Sequence, residues 1–162
     1  MQRPRVGGVL IDPTFTKVVL IRFNSSTRFM FPQGKLNNLE LPSAGAKRKI
    51  TEFTGYHSGE DFQLDNTIEF IVGKVSYCYF YVHNVTENTK FDPMYKDDVA
   101  EVIFYDIDKL SIEDANGRGF LCHNLKHCLS DVKIYCIEEK RKRGFPIISG
   151  HASFATNSPS YM

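Results

Sequence analysis

The stretch GKLNNLELPSAGAKRKITEFTGY, residues 34–56, decides the fold of this chain. Its glycine at position 34 favours a loop at the start of the stretch. Pro42 suits the first turn of a helix, where its missing N–H costs nothing, and Gly55 suits the C-terminal cap. The stretch therefore predicts a loop followed by a helix from Pro42 to Thr54.

Strand-forming runs lie on both sides of this helix. Runs rich in β-branched and aromatic residues predict strands, here at residues 6–11, 17–23, 67–72, 75–83 and 102–105. The first two flank a short turn, and the next two flank Gly73-Lys74, so we expect two hairpins. Residues 76–81 carry aromatic side chains on both faces, which is typical of a buried central strand.

A second helix is predicted near the C-terminus. Apolar residues recur at steps of three and four from Phe120 to about Arg141, which indicates an amphipathic helix. Two helices and several strands predict an α/β domain with a mixed sheet covered on both faces. We expect one domain over residues 1–143. Residues 144–162 are rich in Ser, Pro, Gly and Asn, and we expect a loosely ordered tail there.

The composition excludes several classes of function. A formal net charge of +1 gives no global attraction to nucleic acid or acidic membranes, so an anionic ligand needs a local patch. The sequence contains no signal peptide or membrane span, and we expect no membrane partner. Four cysteines with no paired framework suit a reducing compartment, so we expect free thiols and a cytoplasmic location.

Residues 34–56 resemble the signature of the Nudix hydrolases, which reads Gly, five residues, Glu, seven residues, Arg-Glu-apolar-any-Glu-Glu, any, Gly, apolar. The matching positions are Gly34, Glu40, Arg48, Ile50, Glu52, Gly55 and Tyr56. Lys49 and Phe53 stand where the family has glutamates. The resemblance implies a Nudix α/β/α sandwich with a mixed central sheet, in which Gly34, Glu40, Arg48 and Gly55 are structural. Phe53 is expected in the core.

In this family the helix face that carries positions 49, 52 and 53 holds divalent cations, because residues three and four apart share a face. Mg²⁺ prefers oxygen ligands, polarises phosphoryl oxygens and positions water. Of the three helix carboxylates only Glu52 remains here, and the like charge of Lys49 repels a cation. The Lys49 ammonium could instead contact a polyphosphate. We expect bound Mg²⁺ or Mn²⁺ only if the chain is an active enzyme.

Outside this stretch the likeness narrows to the mRNA-decapping branch of the family. Phe31-Pro32-Gln33-Gly34-Lys35 resembles its Phe-Pro-basic-Gly-Lys sequence, with Lys35 at its phosphate-contacting lysine. Residues 89–93, 96–99 and 104–110 resemble its loop and final strand, with Asp98 at the loop glutamate that acts as general base. The likeness covers about Val6 to Arg143. It implies RNA or capped nucleotide as ligand and decay-factor proteins as further partners. This chain is expected to lack the N-terminal regulatory domain that binds the decapping activator.

Two functions follow from this resemblance. The favoured one is a degenerate Nudix domain that binds capped RNA or nucleotide phosphates with little or no hydrolysis. The alternative is an active metal-dependent decapping pyrophosphohydrolase that cleaves the cap triphosphate. Its catalytic residues would be Lys35, Glu52 and Asp98. The metal would be held by Glu52 and Asp98, with Asp97 or Glu101 as a further ligand.

Basic residues of the C-terminal helix are candidates for RNA contact. We predict that Lys133, Lys140, Arg141, Lys142 and Arg143 bind phosphates together with Lys35 and Lys49. Cations at the end of a helix also interact favourably with its dipole, which explains the cluster without RNA.

Two further patterns have both a functional and a structural interpretation. Cys122-His123 and His127-Cys128 could bind zinc, but buried cysteines beside half-exposed histidines account for them better. Alternating tyrosines at positions 77, 79 and 81 could stack a base or simply pack against the sheet's neighbours. We favour the structural interpretation of the first pattern and leave the second open.

Overall fold

Residues 3–147 are described by the computed structural model, in which two helices cover opposite faces of β-structure. The strands are β1 (Arg5–Leu10), β2 (Lys17–Phe23), β3 (Gln33–Lys35), β4 (Phe62–Val72), β5 (Val75–Val82) and β6 (Val99–Asp106), and the helices are α1 (Pro42–Thr54) and α2 (Leu129–Arg143). Short 3-10 helices lie at Ile107–Lys109 and His123–His127. The predicted α/β class with a mixed sheet is confirmed.

The strands form a four-stranded sheet of order β3-β1-β5-β4 and a two-stranded sheet of β2 and β6. β1 runs parallel to β5 and antiparallel to β3, and β4 and β5 are antiparallel. The predicted hairpin of β4 and β5 is therefore confirmed. β5, with neighbours on both sides, is the buried central strand that its aromatic residues indicated.

The predicted hairpin of the first two strands is wrong. β1 and β2 lie in different sheets and share only the isolated bridge between Ile11 and Val18. The turn between them is organised by Asp12, whose carboxylate accepts hydrogen bonds from the backbone N–H groups of Thr16 and Lys17 at 2.9 and 2.8 Å. These side-chain bonds redirect the chain, so that β2 pairs with β6 instead.

Helix α1 has the predicted bounds, because both of its ends have local causes. Pro42 occupies the first turn. Gly55 caps the other end with a φ of 78°, the left-handed conformation that glycine favours, and its N–H donates to the Thr51 carbonyl at 2.8 Å. The helix packs closely on β1, where Ile50 contacts Gly8. This close approach fixes the helix face that carries positions 49, 52 and 53.

The predicted helix from Phe120 to Arg141 is wrong in its first part. The N–H of Cys122 donates to the Phe29 carbonyl, and the Phe29 N–H donates to the Phe120 carbonyl, at 2.9 and 2.8 Å. These bonds hold residues 120–122 in an extended conformation. The regular helix α2 begins only at Leu129 and continues to Arg143.

Two hydrophobic cores result from this layering. One lies between α1 and the strands and includes Val6, Leu10, Ala46, Ile50, Phe80 and Val82. The other lies on the α2 side and includes Val9, Ile11, Tyr79, Leu125, Val132 and Cys136. Alternate residues of β1 and β5 therefore enter opposite cores, as expected for strands covered on both faces.

No helix within residues 3–147 is long and apolar enough to cross a lipid bilayer. A loosely ordered tail was predicted for residues 144–162. The part of it from residue 148 onward lies outside the described residues.

Candidate functional site

The loop before α1 is fastened to the helix by Glu40 and Arg48. Arg48 Nε and Nη2 donate to the two Glu40 carboxylate oxygens, each at 2.8 Å. The N–H of Asn37 donates to Glu40 Oε1 at 2.9 Å, and Arg48 Nη2 reaches the Lys35 carbonyl at 3.2 Å. The hydrogen bond from Arg48, together with that from Asn37, lowers the pKa of Glu40 to about 2. Charge-assisted, bidentate bonding makes this a strong brace.

Both carboxylate oxygens of Glu52 contact cations of the same helix. Lys49 Nζ lies 2.9 Å from Glu52 Oε1, and Arg48 Nη1 lies 3.1 Å from Glu52 Oε2. The Glu52 side chain is only 12% exposed, so these contacts are shielded from water. The one acidic side chain that the helix keeps at positions 49, 52 and 53 is therefore neutralised by two neighbouring side chains.

Lys49 fills the space between the loop and the helix. A Cβ atom added to Gly34 would lie 2.6 Å from Lys49 Cε and 3.1 Å from Lys49 Nζ, so the lysine side chain crosses directly over this glycine. Its ammonium also lies 5.1 Å from the centre of the Phe53 ring. The Lys49 side chain is 17% exposed, which leaves part of it accessible from the loop side. It does not swing away from Glu52.

Phe53 belongs to a small aromatic cluster at the margin of the domain. Its ring meets that of Phe23 edge-on at 5.0 Å and lies 6.0 Å from that of Tyr95. Phe53 is half-buried and is absent from the core clusters described for residues 3–147. The prediction of a core position is therefore wrong, because the loop containing Tyr95 covers the residue only in part.

The loop after β5 is anchored to the last turn of α1. The N–H groups of Asp92 and Met94 donate to the carbonyls of Thr54 and Glu52, both at 2.9 Å. An open cavity of about 510 Å³ lies beside this junction. It is lined by Lys47, Arg48, Thr51, Glu52, His57, Ser58 and Met94.

Among the acidic residues proposed as partners of Glu52, Glu101 forms an ion pair elsewhere and Asp98 is exposed. Asp98 is exposed, and its backbone carbonyl accepts a hydrogen bond from the Asn24 N–H. Glu101 pairs at 2.8 Å with Arg22, its neighbour across β2 and β6. Within residues 3–147 no three His, Cys, Asp or Glu side chains are grouped so that they could hold a metal ion. This arrangement of side chains does not fit Mg²⁺ or Mn²⁺, which need several oxygen ligands.

The basic residues of α2 differ in their exposure, and one of them is buried. Lys140 is only 7% exposed because it shares the buried helix face of Val132 and Cys136. Its predicted availability to RNA is therefore wrong.

The other cations of this helix are mostly engaged. Lys142 and Arg143 both pair with the buried Glu139, and Lys133 Nζ donates to the Leu110 carbonyl at 2.9 Å. Arg141 is exposed. Lys142 and Arg143 are nevertheless exposed, so together with Arg141 they remain candidates for phosphate contact.

The structure also bears on the Cys/His pattern and on the tyrosines. Cys122 and Cys128 are free, and within residues 3–147 no three His, Cys, Asp or Glu side chains are grouped to hold a metal ion, which agrees with the structural interpretation. The tyrosines at positions 77, 79 and 81 are buried at 9%, 2% and 3% exposure, so they pack in the core and cannot stack a base.

Sequence reasoning missed two residues near Lys35. Arg3 and Arg5 lie with Lys35 and Val75 around a cavity of about 290 Å³. Arg5 and Lys35 are direct partners across the antiparallel pair of β1 and β3. The signal in the sequence was the alternation of arginines at the start of a strand, which puts them on one face.

Comparison with known proteins agrees with the fold. No protein-family model matches the chain. A MutT Nudix hydrolase from Burkholderia pseudomallei superimposes with a TM-score of 0.57 at 18% identity, over 80% of this chain and 98% of that one. The chain therefore has the Nudix fold, as the stretch at residues 34–56 predicted.

The sequence relatives are more specific. The chain is 26% identical to mRNA-decapping enzyme subunit 2 of Arabidopsis thaliana over 97% of its length and 38% of that relative's. It is 25% identical to the m7GpppN-mRNA hydrolase dcap-2 of Caenorhabditis elegans over 86% of its length and 19% of that relative's. The chain thus spans well under half the length of these relatives. It has the Nudix fold and is similar in sequence to the mRNA-decapping proteins, and that resemblance is confirmed.

Proposed function

We propose that this domain binds the phosphates of capped RNA or of a nucleotide and hydrolyses them slowly or not at all. The similarity to mRNA-decapping proteins supports RNA or a capped nucleotide as the ligand class. Lys35, which is exposed, and Lys49, which is partly accessible, are candidate phosphate-binding cations beside the loop before α1. Arg141 is a further exposed candidate on α2.

One observation carries the proposal of weak hydrolysis. The Lys49 ammonium, 2.9 Å from Glu52, takes the place on the helix where a metal ion would need an acidic ligand. Placing a divalent cation against Glu52 would require breaking this contact and the one from Arg48. Two like charges within a few ångströms of the ion would remain. At ~4 Å such repulsion is roughly 4 kcal/mol for two unit charges at an effective dielectric near 20, and about twice that for a divalent ion and one side-chain cation.

A lysine replaces only part of what a metal ion contributes to phosphate chemistry. Its ammonium donates hydrogen bonds to phosphate oxygens and neutralises charge. It does not activate a bound water as a nucleophile, which is the role of the metal in hydrolysis. The geometry therefore supports binding more than turnover.

The competing function is active decapping. Its support is that the relatives are named as a decapping enzyme subunit and an mRNA hydrolase. It requires Glu52 and Asp98, with Asp97 or Glu101, to gather around Mg²⁺ or Mn²⁺. The Lys49 contact would have to open in either case, and the Arg22–Glu101 pair would have to open if Glu101 is the further ligand.

A hydrolysis assay separates the two functions. Capped RNA is incubated with Mn²⁺ and three proteins, namely the wild type, the Lys49→Glu, Phe53→Glu double variant and the Lys47→Glu control. Lys47 is an exposed neighbour on α1, so the control reverses a charge without touching Glu52. We expect turnover only from the double variant, or from none. Robust wild-type turnover that is lost in Glu52→Gln would overturn the proposal in favour of decapping.

Decay-factor proteins as partners and a cytoplasmic location belong to the same proposal, and the decapping relatives are their support. Co-purification of the tagged chain from cells with and without RNase treatment tests the partners, and microscopy of the tagged chain tests the location. Recovery of decay factors only before RNase treatment would indicate that RNA bridges them.

A further inference from the structure

We propose that Arg3, Arg5 and Lys35 form a phosphate-binding site at one end of the four-stranded sheet. This rests on the proposed function, because it assigns the residues that would bind the phosphates. The three side chains line a cavity of about 290 Å³ together with Val75. Among the described residues this lining contains three cations and no carboxylate. A multiply charged anion is the ligand that such a lining fits.

Strand pairing creates this concentration of positive charge. Arg5 and Lys35 are opposite each other in the antiparallel pair of β1 and β3, so their side chains start about 5 Å apart. Arg3 precedes Arg5 by two residues and therefore lies on the same side of the chain. Like charges directly opposite each other destabilise a sheet. Within residues 3–147 no ion pair offsets the charge of these three residues.

The geometry of Arg5 favours phosphate over a simple halide or a single carboxylate. Its Nε donates to Gln33 Oε1 at 2.7 Å, which fixes the plane of the guanidinium. In the described part of the chain its two terminal nitrogens make no hydrogen bond, so they can bind two phosphate oxygens at once. Arg3 and Lys35 are exposed and can bind further phosphates of the same ligand.

The site is separate from the Glu52 contacts on α1. Lys49 lies against Gly34, whereas Lys35, the next residue of β3, lines the cavity with Arg5. Successive residues of a strand point to opposite faces, so Lys35 and Lys49 act on opposite sides of β3. Because β3 is the edge strand of the sheet, a phosphate chain could pass around it and contact both lysines.

The test compares the Arg3→Gln, Arg5→Gln double variant with a control, the Lys90→Gln, Lys109→Gln double variant. Both double variants remove two positive charges, and the control residues are exposed and do not line the cavity. The ligands are inorganic triphosphate, a short RNA with a 5′-triphosphate and the same RNA with a 5′-hydroxyl. Affinities are measured at several salt concentrations. Thermal unfolding checks that each variant is folded, and the loss of like-charge repulsion predicts a melting temperature no lower than that of the wild type.

We expect the first variant to bind triphosphate about tenfold more weakly or worse, while the control changes little. Its RNA affinity should also depend less on salt, with the log–log slope reduced by roughly 0.7 to 0.9 for each lost contact. Equal losses for the two RNAs would assign the site to the RNA backbone. A loss confined to the 5′-triphosphate RNA would assign it to the terminal polyphosphate. Either result supports the site.

The remaining outcomes distinguish failure of the site from failure of the proposed function. If the variant binds triphosphate and RNA as tightly as the wild type, the site is wrong while the proposed function stands. If the wild type binds triphosphate through these arginines but no RNA, the site stands and RNA binding is wrong. If the wild type binds none of the three ligands, both proposals fail.

Discussion

The Lys49 ammonium and the Glu52 carboxylate are 2.9 Å apart on one face of α1, in a contact that is mostly shielded from water. The spacing of three residues along the helix makes this contact possible. Its position over Gly34 makes it the junction between the loop and the helix.

Replacing Lys49 with alanine should weaken nucleotide binding. A hydrogen bond to a charged group contributes about 1.5–3 kcal/mol, so we expect a loss of affinity of roughly tenfold to a hundredfold. Isothermal titration with a cap dinucleotide measures this, and Lys47→Ala serves as the control. Unchanged affinity in Lys49→Ala would show that the ammonium does not touch phosphate.

Gly34 and Lys49 should be energetically coupled. A methyl group at position 34 would lie 2.6 Å from Lys49 Cε, so Gly34→Ala requires the flexible Lys49 side chain to shift. We expect a destabilisation of about 1 kcal/mol or less in Gly34→Ala alone, and less still in a Lys49→Ala background. Denaturant unfolding of the two single variants and the double variant gives the coupling energy. Strictly additive effects would be inconsistent with the contact.

The Glu40–Arg48 brace should make stability depend on acid pH. Because the pKa of Glu40 is lowered in the fold from 4.5 to about 2, its stabilising contribution is complete above pH 4.5. That contribution is lost as the pH falls toward 2. The Glu40→Gln variant should lose this part of the pH dependence. It should also be less stable than the wild type at neutral pH. Unfolding measured between pH 2 and pH 6 tests the prediction, and an unchanged difference between the two proteins across that range would contradict it.

His83 should give a second pH dependence, at a higher pH. Burial, and then the positive charge of Arg143, lower the pKa of its imidazole below 6.5, although Glu139 and Asp61 oppose this shift. Its ring is 2.6 Å from the Tyr135 hydroxyl. A lowered histidine pKa means that the unfolded chain takes up the proton first, so stability falls as the pH drops below 6.5.

His83→Gln should reduce the change in unfolding free energy between pH 7.5 and pH 5. His57→Gln is the matched control, since His57 is exposed. An identical pH profile in wild type and His83→Gln would refute this assignment.

Structural features that depend on a few neighbouring residues were predicted correctly from the sequence. Pro42 and Gly55 fixed both ends of α1, because each acts through its own backbone conformation. The signature residues Glu40 and Arg48 were also found at the loop they connect. The fold class followed from the order of strands and helices and from the family resemblance.

Features that depend on contacts between distant segments were not predictable in this way. The pairing of β2 with β6 and the extended residues 120–122 depend on partners far along the chain. The burial of Lys140 depends on which face of α2 meets the sheet. Arg5 and Lys35 come together only through the register of β1 and β3, so their site was invisible until that register was known.

Direct measurement of Mn²⁺ binding tests whether Lys49 and Arg48 occupy the Glu52 carboxylate that a metal ion would need. Mn²⁺ is titrated with three proteins, namely the wild type, the Lys49→Glu, Phe53→Glu double variant and the Glu52→Gln variant. Electron paramagnetic resonance then reports the bound ion without any substrate. We expect no specific binding by the wild type and a new site in the double variant. Stoichiometric Mn²⁺ binding by the wild type that disappears in Glu52→Gln would contradict it.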